Sequence, residues 1–471
     1  MLALFPNERP EYPHTPSGPS RKLSSLNSQL STLTATSRLA YGSTYAQATT
    51  TLHHNNTASC GTARVSLAKL TDKLTTDRLL QRIIKQSFYR ASVKTLITPP
   101  VWGSLTGIRP TKIIDPMLES GASTDSAARK LMRGYYVSSD RARLCADIAQ
   151  STLSLKRSLN PGDIALYIGI PFCPTRCAYC SFVSNSVEKS FSLIGQYIHT
   201  LLSEIAEASQ WVQKQKLRII TIYIGGGTPT VLPPETLNTL MKALKTSFDL
   251  SHLQEYTVEA GRPDTITEEK LRIIKESGAQ RVCVNPQSMS ENVLAAIGRS
   301  HTPEDILRAA NLVKSIGLTL NMDIIAGLPA DTPEGFSKTL DKIITLMPEN
   351  ITVHTLSQKK GSRIMLEGTK LPESQKVAEM LLYASEALKK HGYRPYYLYR
   401  QKFTSGGFEN IGWSHIGYEN IYNKLMMEDL STVLALGAGG VTKLVLPNGR
   451  IERIFNAKFP KEYISQKTKH H

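Results

Sequence analysis

Three cysteines, Cys173, Cys177 and Cys180, lie within one short segment, PFCPTRCAYC. Three thiolates on one loop can bind three irons of a cubane cluster. Because such clusters usually take four cysteines, one iron then stays open for an exogenous ligand. A three-cysteine zinc site completed by a distant histidine and three unrelated buried thiols are the alternative interpretations. Zinc sites more often repeat a cysteine pair at a distance, and no second pair exists here, so the spacing favours a cluster.

A glycine run, GGGTPT (Gly225–Thr230), directly follows a predicted strand. Glycines at such a place let a ligand approach the backbone closely, although a tight turn explains a bare run equally well. The run lacks the Gly-Lys-Ser/Thr of a phosphate-binding loop, which argues against a nucleoside triphosphate.

Polar side chains also mark the ends of three predicted strands, at Glu259, Gln287 and Asp323. Carboxylates and an amide suit the hydroxyls of a ribose and an ammonium group. Arg299 could bind a ligand carboxylate with its guanidinium fork, or it is a surface arginine.

Several other residue types could do chemistry but have a simpler structural explanation. His301, His354 and His415 are candidate ligands or acid–base groups, and we expect each to be a structural histidine. The aromatic segment YRPYYLYRQ (Tyr393–Gln401) is typical of packing, although Tyr and Arg together could line a porphyrin-like pocket.

The elements that position these residues are buried strands alternating with helices. The predicted strands are Ile164–Ile170, Ile219–Gly227, Tyr256–Ala260, Arg281–Gln287, Leu318–Gly327 and Ile351–Leu356. Six strand–helix units in series predict a parallel sheet, because each helix returns the chain to the same edge. We therefore expect an α/β fold with a partial (β/α)₆ barrel, its site at the carboxyl ends of the strands.

Four regions are predicted along the chain. Residues 1–75 are rich in Ser, Thr and Ala, a composition that buries little and is typical of partly disordered segments. A helical region (76–160), the barrel (161–357) and a C-terminal α/β domain (358–471) follow. The C-terminal domain contains a glycine-rich turn at Gly437–Gly440.

Composition bounds the remaining possibilities. The chain has 471 residues, 41% of them hydrophobic, and carries no apolar run long enough to span a bilayer and no secretory signal, so we expect a cytoplasmic protein. Its net charge of +17 fits a solvated basic surface or a polyanionic small substrate better than nucleic acid. We expect Cys60, Cys145 and Cys283 to be ordinary reduced thiols.

Taken together, the motifs resemble the radical S-adenosylmethionine enzymes related to oxygen-independent coproporphyrinogen-III oxidase (coproporphyrinogen dehydrogenase). The resemblance spans about residues 100–460 and includes a bacterial homologue branch. It rests on LYIGIPFCPTRCAYCSF, IYIGGGTPT, YTVEAGRPDTIT, VNPQS with IGRSHT, MDIIAGLP, WGSLTGIRPTK, YYLYRQ and GFENIGWSHIGYENIYN.

The resemblance implies a role for each matching residue. Cys173, Cys177 and Cys180 would bind a [4Fe–4S] cluster whose fourth iron chelates S-adenosylmethionine. Tyr179 matches a position associated with a second S-adenosylmethionine. The implied contacts with the first cofactor are Tyr167, Gly226, Gly227, Thr228, Glu259, Gln287, Arg299 and Asp323.

The implied reaction is the oxidative decarboxylation of coproporphyrinogen III to protoporphyrinogen IX by a 5′-deoxyadenosyl radical, in haem biosynthesis. It implies an anionic tetrapyrrole substrate and an electron donor such as flavodoxin or ferredoxin. Phe182 and Gly169 stand where the decarboxylating enzyme has a cysteine and a histidine. A haem-binding chaperone or haem-modifying enzyme of the same fold is therefore the alternative, and an RNA-modifying radical enzyme, supported only by the charge, is a third.

Overall fold

The computed structural model describes residues 34–54, 57–96, 99–180, 185–359, 361–446 and 449–468. The strands of this part of the chain are β1 (Thr34–Tyr41), β2 (Tyr45–His54), β3 (Thr57–Ser66), β4 (Asp163–Ile170), β5 (Phe172–Cys173), β6 (Asn185–Ser186), β7 (Arg218–Gly226), β8 (Glu255–Glu259), β9 (Arg281–Gln287), β10 (Thr319–Ala326), β11 (Asn350–Thr355), β12 (Arg394–Arg400), β13 (Glu409–Ser414), β14 (Thr432–Leu436), β15 (Val441–Val445) and β16 (Ile451–Phe455).

The helices of the same residues are α1 (Lys73–Ser92), α2 (Asp115–Glu119), α3 (Thr124–Tyr135), α4 (Ser139–Ser158), α5 (Val187–Lys214), α6 (Pro234–Ser247), α7 (Glu268–Glu276), α8 (Glu291–Ala296), α9 (Pro303–Ser315), α10 (Pro333–Thr345), α11 (Arg363–Leu366), α12 (Ser374–Lys390), α13 (Ile421–Glu428) and α14 (Pro460–Thr468). None of the described helices is both long and apolar enough to cross a membrane.

The chain forms two compact units, of which the first comprises residues 1–107 and 125–143. Its antiparallel sheet, in the order β1-β2-β3, packs against α1. A Cβ added to Gly61 would lie 2.2 Å from the carbonyl oxygen of Ser87, so strand and helix are in close contact at this glycine. Ala46, Ala63 and Ile83 belong to the apolar core between them.

This sheet differs from what the composition predicted for residues 34–66. Small and apolar side chains alternate along β2 and β3, so one face of each strand is buried even though few residues are large. Thr50 is also buried there, where its hydroxyl shares a 2.7 Å hydrogen bond with that of Ser87. Residues 1–33 lie outside the described residues, and the four predicted region boundaries stay predictions.

The second unit comprises residues 108–124 and 144–471 and contains an eleven-stranded sheet. Its order is β12-β13-β11-β10-β9-β8-β7-β4-β14-β15-β16. The seven neighbouring strands β11, β10, β9, β8, β7, β4 and β14 pair in parallel. At one edge β13 and β12, and at the other edge β15 and β16, pair in antiparallel orientation. The sheet does not close on itself over the described residues, in agreement with the predicted α/β class and partial barrel.

The six predicted parallel strands are present, and β14 from the C-terminal region adds a seventh beside β4. Beyond the end of β14, Gly437 has a φ of +89°, and a Cβ there would lie 2.5 Å from the carbonyl oxygen of Gly169. The close approach explains the glycine-rich turn. Because the parallel strands share one direction, their carboxyl ends bring the predicted site residues to one edge of the sheet.

Candidate functional site

The cysteine loop, residues 173–180, begins at the short strand β5, just after β4. Cys177 is buried, whereas Cys173 and Cys180 are half-buried. Backbone hydrogen bonds hold the loop on two sides. The N–H of Ala178 donates to the carbonyl of Ile297 over 2.9 Å, and the N–H of Ile364 donates to the carbonyl of Ala178 over 3.2 Å.

Two buried arginines face Cys177. One guanidinium nitrogen of Arg262 lies 3.9 Å from its sulfur, and Arg299 donates a 3.0 Å hydrogen bond to the hydroxyl of Tyr179. Burial alone would raise the pKa of Cys177, but the positive charges of Arg299 and Arg262 outweigh it and lower that pKa. The site therefore favours the thiolate, which is the form that binds metal.

The donor set of the loop fits an iron–sulfur cluster. Among the described residues, no three His, Cys, Asp or Glu side chains are grouped closely enough to hold one metal ion. A cubane needs a different arrangement, since each of its thiolates binds a separate iron. Two half-buried thiols and one buried, thiolate-favouring cysteine on a single loop offer that chemistry.

The glycine run Gly225–Thr230, called the glycine loop below, starts at the end of β7 and lies against the cysteine loop. Gly226 has a φ of +109°, and a Cβ on Gly227 would lie 2.4 Å from the carbonyl oxygen of Phe172. The N–H of Thr228 donates to that same carbonyl over 2.7 Å, and its hydroxyl lies 3.5 Å from the sulfur of Cys173. The glycines therefore allow two strand ends to approach each other beside the candidate cluster.

Glu259, at the end of β8, is the carboxylate next to this loop. The hydroxyl of Tyr223 donates a 2.6 Å hydrogen bond to it, and the ring of Tyr167 stacks on that of Tyr223 with centroids 6.3 Å apart. Burial, aided by the negative charge of Asp323, raises the pKa of Glu259 to about 7, against the opposing effect of Tyr223. Burial also raises the pKa of Tyr167.

The end of β9 supplies buried polar atoms that have no hydrogen-bond partner among the described residues. They include the side-chain oxygens of Gln287 and Asn285, and the buried Nε of Arg299, which follows α8, also has no partner among the described residues. The backbone of Gln287 is left-handed, with a φ of +68°, which places strain at this strand end. Arg299 also donates to the carbonyl of Gly261 over 3.1 Å. Unpartnered buried atoms of this kind suit a polar ligand.

Asp323, on β10, lies beside a histidine of the neighbouring strand. One carboxylate oxygen accepts a 2.9 Å hydrogen bond from Asn321, and the other lies 3.5 Å from Nε2 of His354. Burial would raise the pKa of Asp323, but the hydrogen bond and charge of His354 and the Asn321 bond outweigh it and lower that pKa. Nδ1 of His354 lies 3.5 Å from the hydroxyl of Tyr399.

The other predicted candidates make ion-pair or packing contacts within the protein. His301 lies 3.7 Å from the carboxylate of Asp264, and His415 stacks on Tyr393 with centroids 4.0 Å apart. Of the aromatic segment, Tyr396 and Tyr397 are buried packing residues. Phe182 lies outside the described residues.

The structure therefore brings the cysteine loop, Thr228 and Arg299 together, and it places Asp323 within electrostatic reach of Glu259. Arg262 was not among the predicted site residues, and His354 was a candidate ligand or acid–base group for which a structural role was expected. Arg262 follows a predicted strand end in YTVEAGRPDTIT. Its place after a strand end is the only local signal, and that signal does not distinguish a buried arginine from one on the surface.

The chain is similar to known proteins over much of its length. The profile of the Radical SAM superfamily matches residues 167–343. The chain is 39% identical over 369 residues to the oxygen-independent coproporphyrinogen-III oxidase-like protein HemZ of Bacillus subtilis, covering 77% of this chain and 74% of that protein. It is 30% identical over 306 residues to the heme chaperone HemW of Haemophilus influenzae, covering 64% of this chain and 76% of HemW.

The fold has a solved counterpart as well. The structure of coproporphyrinogen III oxidase (HemN) from Escherichia coli, described as a radical SAM enzyme, matches with a TM-score of 0.54. The match has 21% sequence identity and covers 67% of this chain and 72% of that one. It supports the partial-barrel fold.

Proposed function

Because this chain belongs to the radical SAM superfamily, and within it to the oxygen-independent coproporphyrinogen-III oxidase-like proteins, we propose that it decarboxylates coproporphyrinogen III oxidatively to protoporphyrinogen IX. The observation that carries the proposal is the cysteine loop with its thiolate-favouring Cys177, placed against the carboxyl ends of the parallel strands. The family implies a [4Fe–4S] cluster and S-adenosylmethionine.

In this proposal Cys173, Cys177 and Cys180 hold the cluster. When bound and reduced by one electron, the cluster and S-adenosylmethionine would supply a 5′-deoxyadenosyl radical to remove a hydrogen atom from a propionate side chain. That side chain would then lose CO₂ and pass one electron to a one-electron acceptor, leaving a vinyl group, and two such turnovers would give protoporphyrinogen IX. The positive charges of Arg299 and Arg262 lower the pKa of Cys177, which favours its thiolate form. The tight approach of Gly227 to Phe172 holds the cysteine loop against the cofactor site.

The remaining residues bind S-adenosylmethionine. Glu259 accepts a hydrogen bond from the cofactor once it has lost its proton, and Asp323, held by His354, accepts from a ribose hydroxyl. The unpartnered amide oxygen of Gln287 accepts from a further donor. The full proposed set also includes Tyr167, Gly226, Gly227, Thr228 and Arg299. Tyr179 marks the place of a second S-adenosylmethionine, so equilibrium dialysis should count two molecules per chain.

The substrate is a tetrapyrrole with several carboxylates, which suits the net charge of +17. We place it beside His354 of β11 and Tyr399 of β12, because His354 lies 3.5 Å from both Asp323 and the Tyr399 hydroxyl and neither side chain is fully buried. A low-potential donor such as flavodoxin or ferredoxin supplies the electron.

The test is turnover without oxygen. Protein purified and reconstituted anaerobically is mixed with dithionite, S-adenosylmethionine and coproporphyrinogen III, and protoporphyrinogen IX and CO₂ are measured. We expect both products, together with 5′-deoxyadenosine, and none of them from the Cys177→Ser variant. Loaded protein that forms no protoporphyrinogen would contradict the proposal.

The similarity to HemW gives a second candidate, a haem chaperone with the same cofactor site. Haem titration of the same preparation separates the two. Stoichiometric haem binding without any decarboxylated product would favour the chaperone.

A further inference from the structure

We infer that Arg262 is a positioning residue of the cluster, which raises the cluster's reduction potential by holding a positive charge and an N–H donor against the sulfur of Cys177. The inference rests on the proposed function, because the cluster belongs to it. It concerns a residue that lies on a different strand end from the cysteines and outside the set proposed to bind S-adenosylmethionine.

The position of Arg262 is unusual for an arginine. It lies three residues beyond β8, directly before the short turn Pro263–Thr265, and is only 2% exposed. Burying a guanidinium is costly unless its charge and its donors are satisfied. Partners at this site must therefore compensate for the loss of water.

Two of the partners of Arg262, Thr175 and Cys177, lie on the cysteine loop. One terminal nitrogen lies 3.9 Å from the sulfur of Cys177 and 3.0 Å from the hydroxyl of Thr175. It also donates to the carbonyl of Thr175 over 3.4 Å. The second terminal nitrogen donates to the hydroxyl of Ser300 over 3.4 Å. The guanidinium thus joins the cysteine loop to the segment after α8.

A carboxylate on the far side fixes the orientation of the guanidinium. Asp264 accepts from Nε of Arg262 over 3.2 Å and lies 3.7 Å from His301. Burial would raise the pKa of Asp264, but its bond with His301 and the charge of Arg262 lower it to about 2. Asp264 is therefore ionised at neutral pH and balances part of the charge of Arg262, while the sulfur of Cys177 lies 3.9 Å from a terminal nitrogen of the guanidinium.

This geometry has a consequence for electron transfer. The reduced cluster carries one more negative charge than the oxidised cluster, and a fixed cation with an N–H donor stabilises the more negative state. Hydrogen bonds to cluster sulfurs and the surrounding charge are known determinants of the potential. Removing the guanidinium should therefore make the cluster harder to reduce, even where the loop still binds iron.

The experiment compares Arg262→Gln and Arg262→Lys with the full-length wild-type protein, each reconstituted anaerobically. Arg308→Gln is the matched control, because Arg308 is an exposed arginine of α9 that also pairs with an aspartate. Iron content and circular dichroism report cluster loading and folding. A redox titration followed by the EPR signal of the reduced cluster gives the potential.

For Arg262→Gln we expect full iron content and at least a tenfold lower ratio of reduced to oxidised cluster at a fixed potential, which is a shift of about 59 mV for a one-electron couple. Arg262→Lys keeps the positive charge but not the guanidinium group, so its reduction potential should shift less. The potential of Arg308→Gln should match that of the wild type. A loaded Gln variant with the wild-type potential would overturn the inference.

If Arg262→Gln binds no iron, the reduction potential of Arg262→Lys tests the inference instead. An intermediate negative shift in that variant supports the inference. An unchanged potential, or loss of iron from the Lys variant as well, assigns Arg262 a purely structural role. These outcomes differ from failure of the proposed function, in which the wild-type protein itself binds no cluster or forms no protoporphyrinogen.

Discussion

The hydroxyl of Tyr223 donates a 2.6 Å hydrogen bond to the carboxylate of Glu259, linking two neighbouring strands at the edge of the sheet that carries the cysteine loop. The bond stabilises the charged carboxylate. Burial and the negative charge of Asp323 nevertheless prevail and raise the pKa of Glu259 to about 7. The Glu259 carboxylate therefore titrates near neutral pH.

This raised pKa predicts a pH-dependent stability of the cofactor-free protein. Between about pH 4.5 and pH 7 the native state holds a proton on Glu259 that the unfolded state releases. The free energy of unfolding should therefore fall as the pH rises through this window, by about 3 kcal/mol at most. Urea denaturation at pH 5 and pH 8 measures the difference.

Glu259→Gln should remove this part of the pH dependence, because glutamine stays neutral throughout. The variant should equal or exceed the wild type in stability at pH 8. Glu379→Gln, at an exposed position of α12, is the control and should retain the wild-type slope. A Glu259→Gln protein with an unchanged slope would show that Glu259 does not titrate in this range.

Cluster binding should depend on Cys177 and not on Cys283. Cys177→Ser removes the thiol whose pKa Arg262 and Arg299 lower, and we expect iron content to fall to background after reconstitution. Cys283 is buried in β9, and burial raises the pKa of its thiol well above the usual value, which disfavours metal binding. Cys283→Ser should keep the brown colour and the iron. Equal loss of iron in both variants would mean that the ligands are misassigned.

The contact between the glycine loop and the cysteine loop predicts an effect of a single methyl group. In Gly227→Ala the new Cβ would meet the backbone of Phe172, which cannot move away like a side chain. We expect a loss of about 2 kcal/mol or more in the free energy of unfolding and a lower iron content.

Gly195→Ala is the matched control for this change. Gly195 lies within α5, and a Cβ there meets no atom within 4 Å. Alanine should be neutral or stabilise the helix by up to about 1 kcal/mol. Thermal and urea unfolding of both variants would reveal the contrast, and equal stability of the two proteins would argue against the close approach.

The C-terminal helix α14 should stabilise the end of β14 through one buried hydrogen bond. The hydroxyl of Tyr463 donates to Glu204 over 2.6 Å, and the same carboxylate accepts from the N–H of Gly437 over 2.7 Å. Tyr463→Phe should lower the free energy of unfolding by about 2 kcal/mol. Tyr383→Phe removes a bond of the same type, to Asp341 at 2.6 Å near the surface, and should cost about 0.5 kcal/mol or less. If both variants lost the same free energy of unfolding, the hydrogen bond of Tyr463 would not stabilise the protein more than the one near the surface.

The strands of the barrel could be predicted from sequence because both faces of a parallel sheet are buried. Continuous apolar runs such as IALYIGI result, and they end where glycines or polar side chains begin. The prediction for β9 matches the structure, and those for the other five strands differ by one residue at one or both ends. The run before Gly437 has the same character, but its pairing beside β4 depends on a partner about 270 residues away.

The contacts of Arg262 were not predictable in the same way. Nothing local distinguishes an arginine that is 2% exposed from one on the surface, since its burial depends on Cys177, Asp264 and Ser300, which meet only in the folded unit. The sheet of residues 34–66 was missed for a different reason. Three of its core side chains are alanines, Ala46, Ala48 and Ala63, which carry little hydrophobic signal in the sequence.

The central claim is that three cysteines hold a cluster whose fourth iron binds S-adenosylmethionine. EPR spectroscopy of the anaerobically reconstituted, dithionite-reduced protein, recorded with and without S-adenosylmethionine, tests it most directly. We expect a reduced [4Fe–4S] signal that changes when the cofactor is added. An EPR signal that is the same with and without S-adenosylmethionine, or protein that binds zinc in place of iron, would contradict the proposed cluster.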